Sequence, residues 1–154
     1  MDYNHPNGKY LKAINGGQFR YRLRQADERM HLFFQAMREH EGSVFTVVGP
    51  EITESTVPSS VSIVTPLGGM QVKPVYTLDG DDLGVSVVFS DESVDASGKE
   101  SRQLLAVRLA YDGWFGPNGN GYVNSSGDLS INAVVFEAMA NKLRLNTEFI
   151  QSIK

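Results

Sequence analysis

The sequence predicts an α+β fold: an antiparallel sheet of about five strands flanked by a long N-terminal helix and a C-terminal helix. Apolar residues recur with helical spacing near the two ends of the chain, whereas the middle holds short β-branched runs separated by turn residues. The length, 154 residues, suits a single globular domain spanning 1–154. A domain of this size buries roughly 70% of the surface its unfolded chain exposes, so it needs no disulfide or metal to stand.

Residues 1–17 form a polar lead-in with a short ordered piece around Tyr10, Leu11, Ala13 and Ile14. From residue 18 to 41, Phe19, Leu23, Ala26, Met30, Phe33 and Met37 fall on one helical face. A strand competes for residues 18–24, where Arg20, Arg22 and Arg24 alternate with Phe19, Tyr21 and Leu23. The helix accounts for more residues, the composition favours it, and Gly42 supplies a stop. Strands follow at 43–48, 61–65, 70–78, 84–90 and 103–111. Pro74 lacks an N–H, which places the third of these at an edge or a bulge. The turn Asp79-Gly80-Asp81-Asp82 and a polar, acidic loop over 91–101 divide the later strands.

The segment 112–128 reads DGWFGPNGNGYVNSSGD and contains the only tryptophan. Ser130 or Asn132 then caps a helix running to about Leu145, with Val135, Phe136, Met139, Ala140 and Leu143 as its apolar set. A tail with Phe149, Ile150 and Ile153 adds a further turn.

Charge is unevenly spread along the chain. Residues 1–40 hold seven Lys/Arg and four Asp/Glu, a balance of +3; residues 41–154 hold seven and fourteen, a balance of −7, which sums to the net −4. The absence of cysteine excludes disulfides, thiolate metal sites and cysteine nucleophiles. No basic and apolar leader opens the sequence, and no run approaches the roughly 18 apolar residues of a membrane span. The expectation is a cytoplasmic protein without membrane contact.

No catalytic, cofactor or metal motif is present. His31 and His40 lie nine positions apart, on opposite faces of a helix, and no H-E-x-x-H accompanies them. Asp27 and His31 are spaced to pair, but no G-x-S-x-G supplies a nucleophile. The acidic turn at 79–82 lacks the ligand order of an EF-hand, and the glycines of 113–121 match neither a P-loop nor a dinucleotide fingerprint.

These exclusions leave a non-enzymatic protein-binding module as the leading expectation, of the inhibitor or immunity type common among small, acidic phage- or mobile-element-like proteins. Asp79, Asp81, Asp82, Asp91 and Glu92 would meet a basic surface on another protein, with Trp114, Phe115 and Tyr122 as aromatic anchors. The same loop also suits a structural role in which its rings cover the core. A first alternative is a small-ligand (nucleotide or metabolite) binding protein or enzyme, with Asp112, Asn118, Asn120 and Asp128 converging under the Gly-rich loop. A second is nucleic-acid contact through Lys12, Arg20, Arg22 and Arg24, against which the pI near 5.3 argues. The apolar seams of the two helices also admit a homo-oligomer.

Overall fold

The structure, a computed structural model, describes residues 6–42, 44–49, 57–91 and 102–153. Two helices, α1 (Gly8–Asn15) and α2 (Phe19–Glu39), lead into a sheet with six strands among the described residues. Its strands are β1 (Thr46–Gly49), β2 (Val61–Thr65), β3 (Gly68–Asp79), β4 (Asp82–Asp91), β5 (Gln103–Ala110) and β6 (Gly113–Phe115). Every neighbouring pair is antiparallel and spatial order equals chain order, so the sheet is a meander. Helix α3 (Ile131–Ser152) follows.

Residues 18–24 are helical, not a strand. Ala26, Met30, Phe33, Phe34 and Met37 form the buried face of α2, with Phe19 and Leu23 half-buried on the same stripe. The C-terminal helix starts as expected, with the Ser130 hydroxyl accepting from the Ala133 N–H at 3.2 Å. It runs past Leu145 to Ser152 because residues 131–152 contain neither Gly nor Pro.

The strand register sorts the sheet into two faces. Val61, Ile63, Met70, Val72, Val85, Val87, Phe89, Leu105, Val107 and Leu109 occupy matched positions and are all buried. With the buried residues of α2 and α3 they make one continuous core. The intervening positions, including Val64, Lys73, Val75, Ala106 and Arg108, point the other way and are exposed. Helix α2 packs on β4 and β5, and α3 on β5.

Pro74 sits where a missing N–H is tolerated. β2 pairs with β3 only as far as Val72, so among the described residues the half of β3 that carries Pro74 has β4 as its one partner. The β3–β4 hairpin closes through Gly80-Asp81, with Asp79 opposite Asp82. Gly80 takes φ +65° and Asp81 does not take positive φ, the combination expected of a type II′ turn. The sixth strand carries no sequence signal, being only three residues long and set among glycines. Trp114 pairs with Leu109 there and therefore shares its inward direction.

Candidate functional site

Four residues singled out in the sequence, Arg22, Asp79, Asp82 and Asp112, line one pocket of about 290 Å³. Arg29, Arg108 and Tyr111 complete its polar wall, and Leu83 and Ala110 its apolar one. Arg22 and Arg29 are seven positions apart on α2 and so share a helical face. The hairpin end of β3 and β4 brings Asp79 and Asp82 beneath them, and the turn after β5 brings Tyr111 and Asp112. Arg108, which also lines the pocket, belongs to the outward register of β5.

Its charges are partly paired. Arg22 Nε lies 3.7 Å from Asp82 Oδ1, and Arg108 Nη1 3.4 Å from Asp79 Oδ2. The Arg29 guanidinium rests on the Tyr111 ring at 4.4 Å from its centre, and Arg108 on Phe115 at 5.1 Å. The Nε atoms of Arg22 and Arg29 are buried yet have no hydrogen-bond partner among the described residues. Each of these two pocket-lining arginines thus carries an unmet N–H donor, a group that pairs with an acceptor such as an anionic oxygen.

This geometry corrects the expected separation of charge. Arg22 of the basic N-terminal part meets Asp82 of the acidic body, and Asp27 of α2 accepts a short hydrogen bond from the Tyr76 hydroxyl of β3. Burial, and then Asp27, push the Tyr76 hydroxyl up to about 12. Asp27 is thus engaged by Tyr76, where the sequence spacing had offered it to His31. Charges distant in sequence neutralise one another because the β3–β4 hairpin folds back along α2.

The aromatic anchor is corrected as well. Trp114 is 7% exposed and meets Phe33 edge-on, with ring centres 5.0 Å apart. Phe33 in turn contacts Phe34 and Phe89 edge-on, so the indole is part of the core. Tyr122 is buried too; burial, then Glu137, raise its pKa. A Cβ at Gly116 would lie 2.5 Å from the Tyr122 hydroxyl, so a glycine there is what lets this ring close down. Phe115 alone of the three is half-buried, on the outward register.

The rest of the loop is a hydrogen-bonded excursion. Asn124 Oδ1 accepts from the N–H groups of Ser126 and Asp128, at 2.9 and 3.0 Å. Tyr122 N donates to Trp114 O and Ser130 N to Tyr122 O, each at 3.0 Å, which carries the chain back to cap α3. Asn118, Asn120 and Asp128 are exposed on this excursion, and none of them lines the pocket that Asp112 lines.

Asp91, expected on an acidic docking face, is 3% exposed. Its Oδ2 accepts from Arg102 Nε at 2.7 Å, and its Oδ1 lies 3.0 Å from Lys142 Nζ, off the angle of a hydrogen bond. Arg102 also reaches Asn146 Oδ1 at 2.6 Å. Such an arrangement pins α3 to the sheet. Asp81 is exposed at the hairpin turn, whereas Glu92 lies outside the described residues. Lys12, Arg20 and Arg24 are exposed on α1 and α2, apart from the half-buried Arg22. Arg102 and Lys142 went unnoticed in the sequence, since no local spacing links them to Asp91. Arg29 belongs to the same basic cluster of the sequence as Arg20, Arg22 and Arg24, seven positions after Arg22.

Among the described residues, no cluster of His, Asp or Glu is arranged to hold a metal ion, and no helix is long and apolar enough to cross a membrane. The fold and site define an α+β protein with a one-sided sheet and a mixed-charge corner pocket. The chain matches no protein-family model, and no curated protein or solved structure is detectably similar to it.

Proposed function

We propose that this protein is a non-enzymatic protein-binding module whose docking surface is the outward face of the sheet. One observation supports the reading: no element among the described residues lies over that face, and its exposed positions include Val48, Val64, Val75 and Ala106. Solvated sheet faces ordinarily alternate toward polar and charged side chains. Here the charged residues are Lys73 and, toward the hairpin end, Arg108, Asp79 and Asp82, among small ones such as Ser62, Ser86 and Ser90. A flat surface of small side chains suits close packing with another protein, and the net charge of −4 favours a basic partner during encounter. Occlusion of a partner's working surface, as an inhibitor or immunity-type protein achieves it, is the form of binding this face suits.

The test is affinity capture from the native host with wild-type protein and with Val64→Lys plus Val75→Lys. Both positions are exposed, so the variant is expected to fold with an unchanged melting temperature and to lose the captured protein. Equal capture by the two baits, or none by either, would remove the sheet-face assignment.

A second reading is favoured by the unmet Nε donors of Arg22 and Arg29: the corner pocket takes a small ligand with an anionic group, such as a nucleotide or metabolite. A rise of several degrees in melting temperature with one compound of a panel, absent in Arg29→Gln, is the expected signature. No shift with any anionic compound would discard it.

A further inference from the structure

We propose that the outer side of α3 is a self-association surface, taken by α3 of a second copy in antiparallel orientation. The buried stripe of this helix consists of Ile131, Val134, Val135 and Ala138. On the opposite side run Phe136, Ala140, Leu143, Thr147 and Ile150, spaced 4, 3, 4 and 3. Phe136 is 54% exposed, Leu143 55% and Ile150 60%. A surface helix normally carries one apolar stripe. A second stripe that alternates threes and fours is the seam by which one helix meets another.

The side chains on this seam argue for a second copy as the occupant. With Ala140 set opposite Leu143 of the partner subunit, Phe136 falls opposite the partner's Thr147, and at the rim Ile150 meets the partner's Ala133, whose counterpart in this chain is half-buried against the core. Each layer then joins a large side chain to a small one. The same alignment brings Glu137 beside the partner's Arg144, and two-fold symmetry repeats that ion pair. Glu137 and Arg144 are seven apart and lie on the same flank of the seam. Their exposure leaves them available: Glu137 is exposed, and Arg144 makes an exposed pair with Glu148 at 3.3 Å. A parallel alignment would stack Phe136 on Phe136 and leave Glu137 facing uncharged Asn132 or Met139, so the charges favour the antiparallel one.

Sedimentation velocity on the full chain over a concentration series tests this. Wild-type protein is expected to pass from monomer to dimer as concentration rises. Leu143→Glu, at an exposed position, should raise the dissociation constant by about tenfold or more without changing the melting temperature. Glu137→Arg should weaken the dimer, and adding Arg144→Glu should restore it, because the swapped charges again meet opposite signs. Val64→Lys plus Val75→Lys should leave the dimer intact, which separates this surface from the sheet face. Monomer at every concentration, a dimer indifferent to Leu143→Glu, or no restoration by the double charge swap would overturn the proposal. Wild-type monomer that binds lipid vesicles through Leu143 would overturn it too.

Discussion

Strand β4 begins and ends with an aspartate, and the two meet opposite fates. Asp91 is buried beside Arg102 and Lys142, which also reach Asn146 of α3 and the Gly69 carbonyl of β3, respectively. Asp82 is exposed, 3.7 Å from an Arg22 Nε that has no hydrogen-bond partner among the described residues. The residue type and the strand are the same, so depth and completeness of pairing make the difference. A charge in a low-dielectric setting survives only with close, geometrically good partners, and such a group becomes part of the framework. At the solvated end, water screens the exposed Asp82 carboxylate and the pairing stays loose, while the shielded Arg22 Nε is left without a hydrogen-bond partner among the described residues.

The largest effect is expected at the buried end. Asp91→Ala leaves two cations facing an apolar interior and should lower the unfolding free energy by about 3 kcal/mol, measured by chemical denaturation. Asp82→Ala should change it by less than about 0.5 kcal/mol. Equal losses at the two positions would break the comparison and show that depth does not decide between them.

The contrast also explains how far the sequence could be read. Periodicity located α2, α3 and five of the strands because burial of one face imposes a period on the chain: Phe33 and Met37 recur at helical spacing, Val85, Val87 and Phe89 at strand spacing. Pro74 was legible as an edge feature because its missing donor is a local property. β6 was not, since three residues are too few to carry a period, and the direction of Trp114 is set by pairing with Leu109 far outside any local window. The same holds for the site. Asp79 and Asp82 stood out as a turn and Arg22 as part of a basic stripe, but their meeting depends on where the hairpin lands on α2. Counting charge along the chain assigned opposite signs to two regions that the fold interleaves.

A double-mutant cycle on Arg22 and Asp82 sharpens the comparison at the solvated end. Coupling of about 0.5 kcal/mol that fades with added salt is expected for an exposed pair at this separation. Coupling of several kcal/mol, insensitive to salt, would mean that the pocket is as much a structural lock as the Asp91 cluster.

Tyr76 and Asp27 stand between the two extremes and give the smallest effect. The Tyr76 hydroxyl donates to Asp27 across the junction of β3 and α2, and its pKa is raised from 10.0 to about 12, more by burial than by the carboxylate. The raised value means that folding favours the protonated phenol. The associated stability is whole below pH 10, where the unfolded chain also keeps its proton, and it is lost as pH rises through about 12. Phenolate absorbance during alkaline titration should therefore show late ionisation of both Tyr122 and Tyr76, and the Tyr76 step should be missing in Tyr76→Phe. In Asp27→Asn, Tyr76 should ionise earlier but still above the ordinary value, because burial, the larger cause, persists. Return of the full shift to 10.0 in that variant would assign the effect to the carboxylate and place this pair with Asp91; no movement at all would place it with Asp82.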